Sequence, residues 1–177
     1  MSNLHLQKKI CMLGVFGVGK TSLTERFVYN KFDESYLSTL GARVSQKRLS
    51  PVELADHSLV QVEMLIWDIE GFEPDSPLMH QYYRGAAGAL LIGDLTRPDT
   101  LATLPKIATV FNGIAPGAPV VVVANKQDLA GKGARGFEVL RDVAREMDCP
   151  HQLASAKTGE GVQESFEALG RKLVGKR

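Results

Sequence analysis

Short apolar runs alternate along the chain with longer stretches of helical period. The runs have the length of β-strands, whereas the longer stretches repeat apolar residues every three or four positions, as amphipathic helices do. This alternation is typical of a mostly parallel sheet with helices on both faces. It predicts strands at residues 10–13, 44–49, 60–67, 89–94, 120–124 and 151–154, and helices at residues 20–29, 77–84, 100–112, 137–147 and 162–173.

The segment between the second and third apolar runs, residues 50–58, is polar and rich in turn-forming residues. Such a segment suits a hairpin, which makes one edge strand antiparallel to its neighbour. We therefore predict an α/β fold with a six-stranded, mostly parallel sheet, one antiparallel edge strand and about five flanking helices. A chain of 177 residues is long enough for one such domain, which we expect to span residues 1–177.

Composition excludes several classes of function. The 21 basic and 20 acidic residues give a formal net charge of +1, so no global field attracts the chain to nucleic acid or to an anionic membrane. The two cysteines, Cys11 and Cys149, lack the dense, even spacing of a disulfide-stapled secreted domain. We expect a monomeric, cytoplasmic protein without a nucleic-acid partner.

We identify no targeting or anchoring signal. The N-terminal residues lack a basic segment followed by a long apolar stretch, and Ser2 stands where myristoylation requires glycine. No apolar run approaches the roughly 20 residues of a spanning helix. The last residues, Val-Gly-Lys-Arg, contain no cysteine for prenylation, so we expect no lipid anchor.

The motif G-x-x-x-x-G-K-T occupies residues 14–21, between the first strand run and the first helix. There, glycines let successive backbone N–H groups surround phosphate oxygens, and the helix adds the positive end of its dipole. Lys20 supplies a cation for the outer phosphates, and the Thr21 hydroxyl can ligate Mg²⁺. The full motif disfavours a turn that only caps a helix, but it does not distinguish ATP from GTP. The predicted phosphate-binding residues are Gly14, Gly17, Val18, Gly19, Lys20, Thr21 and Ser22.

The sequence Asn-Lys-Gln-Asp at residues 125–128 follows a buried-looking run, at the end of a strand where ligands bind in open α/β sheets. The Asp128 carboxylate can accept hydrogen bonds from guanine N1–H and the N2 amine, a donor pair that adenine lacks. Lys126 can lay its methylene stem over the purine, and Asn125 can brace the neighbouring loops. A solvated turn is the better interpretation of this motif taken alone.

A second polar segment, Ser155, Ala156 and Lys157, follows the last predicted strand. The Ala156 N–H is placed to donate to guanine O6. With the phosphate motif upstream, the two segments together predict a guanine pocket rather than unrelated turns.

In combination, these motifs resemble those of the Ras superfamily of small GTPases, with Ras-like or Rab-like features. A prokaryotic or a non-lipidated member is among the alternatives. The resemblance covers about residues 5–173. Residues 67–71, Trp-Asp-Ile-Glu-Gly, resemble the superfamily's W-D-T-A-G segment, and residues 36–41 resemble its first switch. The resemblance implies a P-loop NTPase fold and a switch that binds GTP and GDP with Mg²⁺.

The resemblance also implies roles for individual residues. Asp68 is expected to hold Mg²⁺ through a water, and Thr39 to ligate it when the third phosphate is present. Gly71 N–H is expected to touch that phosphate, which makes Lys20, Thr39 and Gly71 the implied catalytic residues. Phe32 and Tyr36 are expected to contact the nucleotide. Effector, activating and exchange proteins are expected to bind residues 32–41 and 72–84.

The chain departs from the superfamily at Phe72, where a water-orienting glutamine is usual. Phenylalanine cannot hydrogen-bond water, so we predict slow intrinsic hydrolysis. Alternatively, Phe72 only packs the second switch, and Glu70, Glu73 or a partner's residue orders the water. A non-hydrolysing GTP-binding scaffold or assembly module is the alternative function.

Three aromatic residues, Phe72, Tyr82 and Tyr83, fall in or near the expected second switch. Aromatic anchors favour binding hot spots, so these side chains are candidates for docking partners. Simple packing beneath the segment explains them equally well.

Overall fold

The computed structural model describes residues 3–35, 38–71, 73 and 76–175. Strands and helices alternate through these ranges, and none of the helices in them is long and apolar enough to cross a membrane. The strands are β1 (Asn3–Leu13), β2 (Ala42–Arg48), β3 (Val52–Glu53), β4 (Leu59–Ile69), β5 (Gly88–Asp94), β6 (Val120–Asn125) and β7 (His151–Leu153). The helices are α1 (Lys20–Tyr29), α2 (Pro77–Tyr83), α3 (Pro98–Ala102), α4 (Leu104–Ile114), α5 (Arg135–Glu146) and α6 (Val162–Val174), with one 3-10 turn at Gln127–Leu129.

All the strands belong to one sheet, in the order β2-β4-β1-β5-β6-β7, with β3 paired to β4 as well. β2 and β3 run antiparallel to β4, and the remaining neighbours are parallel. This arrangement confirms the predicted α/β fold with its antiparallel edge. The additional short strand β3 continues that edge, after a break that includes Pro51, which has no N–H for the ladder.

Two predicted elements differ clearly from the structure, whereas the bounds of the others agree to within two residues. β1 begins at Asn3 rather than at residue 10, because its more polar first half pairs in parallel with β4 along its whole length. The helix predicted at residues 100–112 is two helices, α3 and α4, which meet at Thr103. Pro105 lies in the first turn of α4, where a missing N–H costs nothing, and this position favours a new helix start there.

The sheet separates two apolar layers. Every residue of β5 is buried, as expected for a central parallel strand covered on both faces. α1 and α6 cover one face, where the rings of Phe27 and Phe166 stack with centroids 3.9 Å apart and an interplanar angle of 4°. The remaining α-helices cover the other face.

The second apolar layer contains Tyr83, one of the three aromatic residues in or near the expected second switch. Tyr83 is only 1% exposed and meets Phe111 of α4 edge to face, with ring centroids 5.6 Å apart. Packing, not docking, therefore accounts for Tyr83. Tyr82 is half-buried near Trp67, with centroids 6.4 Å apart, and Phe72 lies outside the described residues.

We expect Phe27→Ala to lower the free energy of unfolding by about 3–5 kcal/mol, because it removes one ring of the buried stack and leaves a cavity. Tyr29→Ala, on the same helix, is the matched control. Tyr29 is 58% exposed, so its truncation should change the stability by less than about 1 kcal/mol. Denaturant unfolding without added ligand measures both. Equal losses would show that α1 is not held by this stack.

Candidate functional site

The parallel strands end at one edge of the sheet, and the loops that follow them surround a cavity of about 550 Å³. This edge is where open α/β sheets bind ligands. The predicted residues that line the cavity are Gly17, Gly19, Lys20, Thr21, Ser22, Phe32, Thr39, Gly71, Asn125, Lys126, Asp128, Ala156 and Lys157. Gly14, Val18, Asp68 and Ser155 do not line it, and Tyr36 lies outside the described residues.

The phosphate motif forms a loop between β1 and α1, and Lys20 is folded back over it. Lys20 Nζ donates to the carbonyl oxygens of Gly14 over 2.9 Å and of Val15 over 3.0 Å. Burial lowers the pKa of Lys20 to about 8, although the Asp68 carboxylate opposes this shift. The loop thus holds a buried cation, which phosphate oxygens are suited to stabilise.

The next three carbonyls of the loop are held by side chains from other loops. Phe16 O accepts from Arg97 Nη2 over 3.3 Å, Gly17 O accepts from Lys126 Nζ over 2.9 Å, and Val18 O accepts from Asn125 Nδ2 over 3.0 Å. In a planar trans peptide, the N–H points opposite to the C=O. Holding these oxygens therefore turns the following N–H groups away from the three side chains, toward the space that the loop encloses.

At Gly19 a side chain is excluded for two reasons. Its φ of 98° lies in the left-handed region, and a Cβ there would collide with the Asn125 amide. Glycine therefore lets α1 begin directly against the base-reading loop.

The two segments predicted to read the base meet behind the cavity. Asn125 Oδ1 accepts from Ala156 N–H over 3.1 Å, and Ser155 Oγ donates to Asp128 Oδ1 over 2.6 Å. Asn125 and Ser155 are 2% and 0% exposed. The Ala156 N–H, predicted to face guanine O6, is engaged by Asn125 in this structure because the buried amide lies between the two segments. The Asp128 carboxylate is held in the cavity wall by the Ser155 hydroxyl.

Sequence reasoning missed Arg26, which fixes the Ser-Ala-Lys segment from α1. Its Nε donates to Ala156 O over 2.8 Å, and its Nη2 donates to Lys157 O over 2.6 Å. Lys157 also forms an exposed ion pair with Glu34 over 2.9 Å, across the mouth of the cavity. An arginine in a helix has no motif of its own, and its partners lie 130 or more positions away.

Sequence reasoning also missed Asp94, the last residue of β5. It is 1% exposed, and its Oδ2 lies 2.8 Å from Lys126 Nζ and 3.0 Å from Arg97 Nε. Burial alone would raise the pKa of Asp94, but hydrogen bonds from Lys126, Thr96 and Arg97 outweigh it and hold the pKa below its ordinary value. The sequence did contain a signal for Asp94, namely a charged residue at the end of an otherwise apolar strand.

Thr21, Thr39 and Asp68 come together beside the phosphate loop. Thr21 Oγ1 donates to Asp68 Oδ2 over 2.6 Å and lies 2.7 Å from Thr39 Oγ1. Asp68 is 2% exposed, and within the described ranges its Oδ1 has no hydrogen-bond partner. Burial raises the pKa of Asp68, against the opposing effects of the Thr21 hydrogen bond and Lys20. A buried carboxylate oxygen without a partner, beside two hydroxyls, fits the oxygen ligands that Mg²⁺ prefers.

The comparisons with known proteins agree with this geometry. The model of the Ras family matches residues 9–175. The chain belongs to the Ras family. It is also 32% identical over 162 residues to the Ras-related protein Rab-1C of Dictyostelium discoideum, an alignment that covers 91% of this chain and 78% of that relative. Membership of this family makes the protein a small GTPase, and therefore a GTP-binding switch.

The two segments that correspond to the Ras-family switches are joined at their ends. Gly41 N–H donates to Glu70 Oε2 over 3.1 Å, and Glu70 N–H donates to Gly41 O over 2.9 Å. Next to this contact, Gly71 lies so close to the phosphate loop that a Cβ there would be 2.9 Å from Phe16 N. The two segments are therefore in direct contact with each other, and Gly71 brings the second of them against the phosphate loop.

We expect Asn125→Asp to lower the free energy of unfolding by about 3 kcal/mol, because it places a buried carboxylate oxygen against Val18 O where a donor now lies. Asn112→Asp is the matched control. Asn112 Oδ1 accepts from Gly117 N–H over 3.2 Å at the surface, and an aspartate oxygen can do the same. Denaturant unfolding without added nucleotide measures both. Equal stabilities would contradict the bracing role of Asn125.

Proposed function

We propose that this small GTPase binds GTP and GDP together with Mg²⁺ and hydrolyses GTP slowly. One observation carries the proposal: residues of the phosphate loop, residues of the guanine-reading segments, and Thr21 and Thr39 line one cavity of about 550 Å³, a usual size for a small-molecule site, and Asp68 lies behind Thr21. Water attacks the γ-phosphorus of GTP and the bond to the β–γ bridging oxygen breaks, which yields GDP and phosphate.

Guanine selectivity is assigned to Asp128. Its carboxylate lies in the cavity wall and accepts from the buried Ser155 hydroxyl, which orients it without removing its negative charge. A carboxylate in this position accepts from the two adjacent donors of guanine, whereas adenine offers no such pair. The Lys126 stem runs from the base-reading segment to Gly17 O and forms part of the same wall.

The phosphate end is assigned to the loop of residues 14–21. The N–H groups of Gly17, Val18 and Gly19, oriented by the held carbonyls, donate to phosphate oxygens at the N-terminus of α1. Lys20 exchanges its carbonyl partners for the outer phosphates. Thr21, Thr39 and Asp68 would hold Mg²⁺, which neutralises charge on the phosphates when it is bound.

Slow hydrolysis is proposed from the sequence, since Phe72 lies outside the described residues. The structure bears on one alternative. Glu70 lines the cavity, but its Oε2 accepts from Gly41 N–H, so part of its carboxylate is engaged in joining the switch segments. We assign Glu70 to that junction, and Lys20, Thr39 and Gly71 N–H to the γ-phosphate. Orientation of the attacking water remains, and the glutamine that usually performs it is replaced by Phe72.

Effector, activating and exchange proteins are proposed to bind residues 32–41 and 72–84. Large apolar side chains are exposed on the described parts of both segments, with Leu40 86% and Leu78 45% exposed. Exposed apolar groups beside a nucleotide-dependent contact suit partners that distinguish the GTP form from the GDP form. The cytoplasmic location and the monomeric state stay predictions from the sequence.

Asp128→Asn is expected to weaken GDP binding by about 100-fold, because an amide N–H₂ group then faces guanine donors and two charge-assisted hydrogen bonds are lost. Competition against a fluorescent GDP derivative measures the affinity, with ADP as a second competitor. The control is Asp142→Asn, a carboxylate on α5 that is 64% exposed and should not affect binding. Unchanged GDP selectivity in Asp128→Asn would remove Asp128 from the base-reading role.

Phe72→Gln is expected to accelerate single-turnover GTP cleavage by about tenfold or more, because glutamine can orient the attacking water. Phe72→Leu, which stays apolar, should remain as slow as the unmodified protein. Phosphate release from preloaded GTP with Mg²⁺ measures the rate. Brisk cleavage by the unmodified protein would refute the slow-hydrolysis proposal, and Glu70→Ala and Glu73→Ala would then identify the group that orders the water.

The same assay tests the alternative of a non-hydrolysing scaffold, which Phe72 also suggests. GTP that is retained without cleavage by both the unmodified protein and Phe72→Gln would favour the scaffold. Measurable cleavage in the unmodified protein excludes it.

A further inference from the structure

Arg97 contacts the phosphate loop from outside the cavity, at a position that no motif marks. Its Nη2 donates to Phe16 O over 3.3 Å, and a Cβ on Gly17 would lie 3.4 Å from that same nitrogen. Arg97 does not line the cavity. It therefore acts on the loop backbone rather than on a bound ligand.

The Arg97 guanidinium is anchored by a buried carboxylate. Its Nε lies 3.0 Å from Asp94 Oδ2, the oxygen that also lies 2.8 Å from Lys126 Nζ. Lys126 in turn donates to Gly17 O over 2.9 Å. Two cations that share one carboxylate oxygen thus hold two consecutive carbonyls of the phosphate loop, and each cation is kept in place by the Asp94 charge.

The backbone of Arg97 is fixed as firmly as its side chain. Arg97 N–H donates to Asp94 O over 2.9 Å, and Arg97 O accepts from Thr100 Oγ1 over 2.7 Å. Thr100 is 2% exposed and begins the packing of α3 against the sheet. Little conformational freedom is left to lose when Arg97 holds the loop, so its hydrogen bond to Phe16 O is pre-organised.

We propose that Arg97 is a positioning residue for nucleotide binding: by holding Phe16 O outward it turns the Gly17 N–H toward the β-phosphate of bound GDP or GTP. The inference rests on the proposed function, since it needs a guanine nucleotide in the cavity. The proposed effect of Arg97 is confined to the phosphate end of the site. The base-reading segment is held by the contact between Asp94 and Lys126, which does not include Arg97.

The test compares Arg97→Ala with Arg145→Ala in the full chain. Both arginines pair with an aspartate three positions earlier, but Arg145 pairs with Asp142 over 3.7 Å on the exposed face of α5, remote from the loop. The affinities for GDP and for GMP are measured by competition against a fluorescent GDP derivative, and GDP dissociation is followed with excess unlabelled GDP. Thermal unfolding of each variant checks that it is folded.

Arg97→Ala is expected to release GDP about tenfold faster and to lower the ratio of GDP to GMP affinity about tenfold, since a single charge-assisted hydrogen bond that orients a β-phosphate donor is lost. GMP lacks the β-phosphate, so its affinity should change by less than about twofold. Arg145→Ala should match the unmodified protein. A general structural defect would instead weaken GDP and GMP equally and would overturn the inference.

Arg97→Lys separates geometry from charge. Lysine keeps the positive charge but has no planar fork to reach the Asp94 carboxylate and Phe16 O together, so it should behave like Arg97→Ala. If Arg97→Lys binds and releases GDP like the unmodified protein, the positive charge alone is sufficient. That result would overturn the proposed positioning by the guanidinium. Arg97→Ala that binds like Arg145→Ala overturns only this inference, whereas an unmodified protein that retains no guanine nucleotide overturns the proposed function with it.

Discussion

The phosphate loop can receive an anion only if its carbonyl oxygens are kept away from it. Three consecutive carbonyls, those of residues 16–18, accept hydrogen bonds from side chains outside the loop, namely Arg97, Lys126 and Asn125. Two of these three donors are cations, which are the stronger class of donor. The N–H groups on the opposite side of these peptides are thereby left for the ligand.

This constraint explains why the site needs the whole sheet. The donors come from the ends of β5 and β6, and β5 lies directly beside β1, from which the phosphate loop emerges. Asp94, Asn125 and Ser155 are each no more than 2% exposed and are paired at these strand ends. In a low-dielectric interior such pairs are strong when satisfied and costly when broken, so the buried polar groups define one arrangement of the loops.

The switch segments are held differently. Their contacts with the rest of the site are short and polar, through Thr21, Thr39 and Asp68 and through the paired backbones of Gly41 and Glu70. Leu40 of the first segment is exposed, whereas Met79 and Tyr83 of the second are buried in the core. Polar contacts like those of Thr39 and Gly41 can change when a ligand group is added or removed.

Sequence alone determined the fold class and the functional segments, because each motif directly follows a buried run and parallel strands end at one edge of the sheet. The bounds of α1 were predicted correctly, since the motif supplies its start. The division of α3 from α4 and the short strand β3 were missed, because a single proline and a two-residue pairing leave weak local signals. The role of Tyr83 was left open, because the periodicity of the sequence does not show which aromatic ring packs against Phe111.

The tertiary structure decided how the predicted residues are held. Arg97 contacts a carbonyl 81 positions away, and Arg26 contacts one 130 positions away. Neither arginine belongs to a motif, because the geometry that selects it is created only when β1, β5, β6 and β7 end along one edge of the sheet. The sequence predicted many of the groups that line the cavity, since phosphate and base recognition need particular residue types at fixed spacing. Only the folded chain determined which side chains hold the carbonyls of the phosphate loop, since any suitably placed donor satisfies a carbonyl.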